Sequence, residues 1–226
     1  MPLDEVIVRH CSATLAGVKP SNLVTITYSD IDDAEKQIDF LNKILNAKGV
    51  FLRKIKFLAN NRILLFVYNE ENLKNHLFQP EEKQFLKEVG YPIFQGFQKN
   101  LEKLEWRFTQ TNSVPHEVGV FLGYPILDVR GFIENHGCNF KCACRWKIYG
   151  DESYSMNLCR KYCECEQICL AKFQNGISIN YNFLQDQIMP FCDLNIAYFF
   201  EIFDINENNN PNNYNQGLFF KSIIPC

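Results

Sequence analysis

The sequence predicts an α+β protein: a small mixed or antiparallel sheet, ferredoxin-like if residues 145–149 supply its last strand, followed by a helical, cysteine-rich second half. Three observations predict it. The first half alternates β-branched runs with stretches of helical period. Two of its strands flank an Asn60-Asn61 pair, and seven of the ten cysteines fall between Cys138 and Cys169.

The elements follow in order. Leu23-Val24-Thr25-Ile26-Thr27-Tyr28 is β-branched and reads as a strand ended by Ser29-Asp30. Ser29 or Asp30 then N-caps a helix through about Asn46, with Ile38, Leu41 and Leu45 on one face and Gly49 near its end. Residues 50–58 and 62–68 are two further strands, and Asn60-Asn61 between them tolerates the positive φ of a tight hairpin. Acidic, leucine-rich helical stretches occupy residues 70–89 and 96–108. Two short helices follow within 115–137, then a longer one over 151–173. Residues 206–215 are a polar Asn-Pro tract that reads as an exposed loop, and 218–226 is apolar enough to dock as a final strand. Residues 1–111 thus form an α/β part, 112–175 a helical Cys-rich part packed on it, and 176–226 a divergent C-terminal extension of one compact domain.

Composition bounds the function classes. Of 226 residues, 46% are hydrophobic and 22% charged, with a net charge of −3, which is ordinary globular composition and excludes a strongly basic nucleic-acid module. The first residues carry Asp4 and Glu5 where a signal peptide needs positive charge, and no 18-residue apolar run occurs. The expectation is a cytoplasmic protein with no membrane partner, whose thiols are reduced by default.

Dense thiols in a reducing compartment mean metal, redox chemistry or buried apolar packing. The spacing C-x3-C-x-C appears twice, at Cys138, Cys142, Cys144 and at Cys159, Cys163, Cys165, with Cys169 four residues on. Neither run has the C-x2-C knuckle of a zinc ribbon, and the first lacks the third-cysteine spacing of a radical-SAM loop. At 100° per residue, Cys165 and Cys169 fall in the stripe of Leu158, Tyr162 and Phe173, whereas Cys159 and Cys163 fall about 120° away. A continuous helix cannot bring all four to one metal, so core packing is the expected role of Cys165 and Cys169.

Other motifs are weaker. Arg9-His10-Cys11 places a thiol beside two cationic side chains, a pattern that favours thiolate or a metal ligand. His116-Glu117 has its next His at His136, outside H-E-x-x-H spacing. Residues 117–135 have helix-turn-helix form, with Gly123-Tyr124-Pro125 as the turn. The second helix offers only Arg130 against Asp128 and Glu134, which argues against nucleic acid as a partner. No phosphate loop, G-x-G-x-x-G, G-x-S-x-G or paired-carboxylate motif is present, so an NAD, ATP or hydrolase reading has no support.

Several blocks carry a resemblance: Arg9-His10-Cys11 with Thr14-Leu15-Ala16-Gly17 and Lys19-Pro20; the stretch 115–125; Asp128-Val129; Gly131-Phe132-Ile133; and Gly137 with Asn139-Phe140-Lys141-Cys142, Trp146-Lys147, Tyr149 and Asp151. On these residues the chain resembles a family of uncharacterised proteins from anaerobic low-GC bacteria, known only as a domain of unknown function, over roughly residues 6–175. The resemblance implies no reaction. It singles out Cys11 and Cys142 among the thiols, and leaves most of the remaining cysteines as features of this chain.

Two separated thiols, one beside a His, lead to the expectation of a pocket for a transition metal (iron or zinc) or a small redox ligand. His10, Cys11 and Cys142 are its expected metal ligands, and Arg9, His116, Glu117, Lys141, Lys147 and Tyr149 its cofactor-binding groups. Two alternatives stand beside it. One is a non-enzymatic interaction or regulatory protein that meets a protein partner through the helix-turn-helix bracket. The other is a thiol-dependent enzyme with Cys11 as nucleophile.

Overall fold

The computed structural model describes residues 2–110 and 113–175. The polar tract 206–215, the apolar segment 218–226 and the extension 176–226 lie outside the described residues.

The middle layer is a three-stranded antiparallel sheet of β1 (Ser21–Thr27), β2 (Val50–Leu58) and β3 (Arg62–Asn69) in the order β1-β3-β2. Hairpin register is set by Asn60 and Asn61, at φ 60° and 50°, so that Arg62 opposes Leu58 and Ile63 opposes Phe57. Ser21 opposes Tyr68 and Thr27 opposes Arg62 across the other edge. The continuous apolar run from Ile63 to Tyr68 is buried on both faces, as a central strand between two helical layers requires.

Side chains alternate between those layers. Ile63, Leu65 and Val67 meet one core, built with α1 (Leu3–Leu15), α2 (Ile31–Leu45) and α8 (Glu152–Gln174). Leu64, Phe66 and Tyr68 meet the other, built with α3 (Glu70–Leu77), α4 (Pro80–Glu88), α5 (Phe97–Gln110), α6 (Val118–Phe121) and α7 (Ile126–Glu134). Both cores mix residues from before and after position 112.

Local chemistry sets the helix ends. Asp30 accepts from the Asp33 N–H at 3.0 Å to start α2, Asn69 from the Asn72 N–H at 3.0 Å to start α3, and Asp151 from the Tyr154 N–H at 2.9 Å to start α8. The single helical stretch expected over 70–89 is two helices, because Pro80 takes the first position of α4.

Helix α1 has no counterpart among the expected elements. Its run Val6-Ile7-Val8 is weakly helical in isolation. Burial on nearly every side, against β1, β3 and α8, supplies the stabilisation that propensity does not.

The ferredoxin-like expectation is corrected in part. Strands β1, β3 and β2 have the order expected of that fold's first half. Among the described residues, 145–149 do not join them: β5 (Lys147–Ile148) pairs with β4 (Cys142–Ala143), as a separate two-stranded ribbon. Asp128 holds the ribbon elsewhere.

Candidate functional site

Asp128, on α7 and 2% exposed, is the post on which the site hangs. Its Oδ1 accepts from the Tyr149 and Gly150 backbone N–H groups, both at 2.8 Å. Its Oδ2 accepts from Trp146 Nε1 at 2.8 Å and from Ser155 Oγ at 2.6 Å. One carboxylate therefore fixes the ribbon and the first turn of α8 relative to each other. Gly131, one turn along α7, lets the Tyr149 side chain pack where a Cβ would stand.

This anchoring places the ribbon turn, Cys144-Arg145-Trp146, over the middle of α8. Trp146 stacks on Tyr124 with ring centroids 4.6 Å apart and lies tilted against Tyr162 at 6.3 Å. Cys144 and the consecutive-turn thiols Cys159 and Cys163 form one hydrogen-bonded trio. Arg145 Nε donates to Cys163 Sγ at 3.0 Å, and another nitrogen of the same guanidinium pairs with Glu166 Oε2 at 2.5 Å.

The electrostatics separate the three thiols. Cys159, at the centre and buried, is pushed up by its hydrogen bonds to Cys144 and Cys163 and by burial, and it keeps its proton. Cys144 is lowered by the Cys159 hydrogen bond. Cys163 is pulled down to about 6, first by the Cys159 hydrogen bond and then by the charge and hydrogen bond of Arg145, which outweigh partial burial. A half-buried thiol in that range is mostly thiolate at neutral pH. Burial works against the Arg145 charge, but the surrounding Glu166 and Cys163 anions hold it in place.

A second group of charges lies beneath the trio. Lys19, 5% exposed, places its ammonium 5.5 Å from the Tyr124 ring centroid and 5.6 Å from that of Tyr162. Burial lowers it to about 8, with Glu166 opposing the shift. Burial raises Glu166, against the pull of Arg145 and Lys19.

The residues expected to form the pocket divide among three places. Arg9, His10 and Cys11 share α1. Arg9 pairs with Glu5 at 3.0 Å. His10 lies on the exposed side of the helix, and partial desolvation of its ring, with the cations Arg9 and Arg145, lowers it. Cys11 is fully buried and its thiol is pushed well up by burial, with Glu166 adding to the shift and Lys19 opposing it. Lys141, Cys142, Lys147 and Tyr149 share the ribbon. Lys141 Nζ donates to the Gly150 carbonyl at 2.6 Å and Lys147 Nζ to the Gly137 carbonyl at 2.7 Å. Cys142 is raised by burial and then by Glu152, Cys144 and Asp128.

His116 and Glu117 lie in the other helical layer. His116 sets its ring edge-on to Phe132 at 5.1 Å, and Glu117 Oε1 accepts from Tyr91 Oη at 3.3 Å and faces Arg107 Nε at 3.4 Å. The α1 and ribbon groups meet through Arg145, whose charge reaches His10. Different charges act on the two thiols, Glu166 and Lys19 on Cys11, and Glu152, Cys144, Asp128 and Lys141 on Cys142, although Cys142 packs against the same core cluster that holds Cys11. Among the described residues no group of three or more His, Cys, Asp and Glu side chains is arranged to hold a metal ion.

Sequence reasoning gave no site role to Arg145 or Glu166, and met Lys19 only as part of the resemblance. The available signal was the spacing Cys159, Cys163, Glu166, which is i, i+4, i+7 on one side of a helix, together with the arginine adjoining Cys144. Cys165 and Cys169, expected in the core, are 3% and 0% exposed. The helix-turn-helix bracket forms as α6 and α7, but its lone arginine, Arg130, pairs with Glu88 at 2.8 Å and lies 4.8 Å over the Phe85 ring.

Fold and site together define an α+β protein with helices on both faces of a small antiparallel sheet, and with an arginine-paired thiol cluster where a short ribbon meets its last helix. The chain belongs to the family described as protein of unknown function, DUF3793, which it matches over residues 7–181. No curated protein matches it. No solved structure matches it either. No helix among the described residues is long and apolar enough to cross a membrane.

Proposed function

We propose that this protein carries out reversible thiol–disulfide exchange with a small redox ligand, with Cys163 as the attacking thiolate and Cys144 as the resolving thiol. The observation that carries the reading is the Arg145 Nε contact to Cys163 Sγ at 3.0 Å, on a half-buried sulfur already hydrogen-bonded to a second thiol. A guanidinium in that position stabilises the thiolate, and the thiolate is the nucleophile in exchange.

The chemistry closes on a disulfide RS–SR as oxidant. The Cys163 thiolate attacks one sulfur, the S–S bond breaks, and RS⁻ leaves to take a proton from water. Cys144 then attacks Cys163 Sγ as thiolate, forms the protein disulfide and expels the second RS⁻. Two electrons pass from the protein to the ligand, and the two thiol protons end on two RSH.

Cys144 is the resolving partner for a geometric reason. Cys159 and Cys163 are i, i+4 neighbours on a continuous helix, where Cβ atoms sit about 5–6 Å apart. A disulfide needs about 3.5–4.5 Å. Cys144 arrives from a separate ribbon and carries no such restriction.

The test is the pH profile of iodoacetamide labelling, read peptide by peptide by mass spectrometry, followed by oxidation with glutathione disulfide. Cys163 is expected to label first, with a midpoint near 6, and oxidation is expected to join Cys144 to Cys163. Labelling of Cys163 no faster than the other half-buried thiols, or no Cys144–Cys163 linkage, overturns the reading. Metal analysis of anaerobically purified protein separates it from an iron or zinc site at His10, Cys11 and Cys142. Equal metal content in the wild type and a Cys11→Ala/Cys142→Ala double variant rejects that metal site.

A further inference from the structure

We infer that Glu166 is a positioning residue for the Cys163 thiolate: it holds the Arg145 guanidinium so that Nε faces the sulfur. The inference rests on the exchange chemistry proposed above and concerns how the same site is kept ready.

Arg145 is anchored at two points of its fork. One nitrogen pairs with Glu166 Oε2 at 2.5 Å while Nε reaches Cys163 Sγ at 3.0 Å, and Cys163 and Glu166 are i, i+3 neighbours on α8. The arginine side chain itself is 39% exposed, whereas that of Glu166 is 8% exposed. A half-solvated guanidinium left without this partner would exchange its thiol contact for water. A buried carboxylate one turn from the sulfur removes that freedom, and the rigid fork lets one cation serve both anions.

Glu166 is costly to bury, which argues against a bystander role. Its Oε1 is buried and has no hydrogen-bond partner among the described residues. Unsatisfied buried carboxylate oxygens destabilise a fold, and Arg145 and Lys19 only partly offset this one. A residue needed for packing alone would be served better by Leu or Met at this place.

The charges that bear on Cys163 come from every element around it. Cys159 and Glu164 lie on α8, and Cys144 and Arg145 on the ribbon turn. Beyond Arg145 stand Glu166 itself, Lys19 after α1, and His10 and Cys11 on α1. Two effects of Glu166 therefore oppose each other. Its negative charge disfavours the thiolate directly, while its hold on Arg145 favours it. Substitutions can separate the two.

The experiment is the pH profile of Cys163 labelling by iodoacetamide in the full chain. Glu166→Ala removes both charge and anchor, and positioning predicts that the midpoint rises by about one pH unit or more, the size of an opposite-charge effect at contact range. Glu166→Gln removes the charge but keeps an acceptor for the guanidinium, so its midpoint is expected to stay or fall. Arg145→Lys keeps the charge and loses the fork, and its midpoint is expected to rise. A midpoint in Glu166→Ala that is unchanged or lower overturns the inference. So does an unchanged Arg145→Lys profile, which also decides the matter if Glu166→Ala does not fold. A wild-type Cys163 that titrates like an ordinary thiol would instead sink the exchange reading itself.

Discussion

Replacing Asp128 by asparagine probes the post that carries the site. The carboxylate is 2% exposed and accepts four hydrogen bonds, two on each oxygen. In the better orientation of the substituted amide, the remaining oxygen keeps the Tyr149 and Gly150 N–H groups, and the new NH2 faces Trp146 Nε1–H and the Ser155 hydroxyl. Serine can rotate to accept. The indole cannot, because its N–H only donates. One buried donor is orphaned, at about 1–3 kcal/mol, and the three surviving bonds lose their charge assistance, roughly 0.5–1 kcal/mol each. Relief of the buried charge returns part of this, and the net loss is expected at about 2–4 kcal/mol. Urea unfolding measures it as a lower midpoint at unchanged m. A double-mutant cycle with Trp146→Phe isolates the indole bond and is expected to show coupling of about 1 kcal/mol or more. Stability within about 0.5 kcal/mol of wild type, together with no coupling to Trp146, would refute the assignment of Asp128 as the anchor.

Three further outcomes are expected. Gly131→Ala drives a Cβ into the Tyr149 side chain, and should cost about 1–3 kcal/mol in chemical denaturation and slow Cys163 labelling by loosening the ribbon. Ser21→Ala removes the buried 2.6 Å bond from Ser21 Oγ to the Phe121 carbonyl, which joins β1 to α6; about 1–2 kcal/mol should be lost, with labelling unchanged. Cys163 has a folded value near 6 against about 9 for an unperturbed thiol, so between those limits the unfolded chain binds the extra proton. Wild type should therefore gain stability over Cys163→Ser as pH rises from 6 to 9 and lose that advantage as pH falls through 6, read from urea midpoints across the range. A flat difference would contradict the depressed thiol.

Much of the fold was legible because its causes are local. The β-branched run 23–28 and the unbroken apolar run Ile63–Tyr68 mark strands whatever surrounds them, and Asn60-Asn61 sets a hairpin by tolerating positive φ. Asp30 and Asp151 announce helix starts through side chains that reach only three residues. Wheel geometry sent Cys165 and Cys169 to the core because a helix has one period, and both are buried there.

What local pattern could not settle was who meets whom. Helix α1 owes its helicity to burial between the sheet and α8, a context absent from Val6-Ile7-Val8 read alone. Residues 145–149 have strand character, but Asp128 takes hydrogen bonds from Trp146, Tyr149 and Gly150 and places them in a ribbon over α8 instead of at the sheet edge. That same placement selects among the ten cysteines. Resemblance alone pointed to Cys11 and Cys142, yet burial keeps the first protonated, while the turn between β4 and β5 delivers Cys144 and Arg145 to Cys159 and Cys163. The sequence by itself determined the α+β alternation, the caps and the helical faces, since each depends on neighbours within a few residues. Only the tertiary structure decided which thiol faces a guanidinium, because a charge acts through space, and Arg145 and Cys163 are brought together by a carboxylate that is distant from both along the chain.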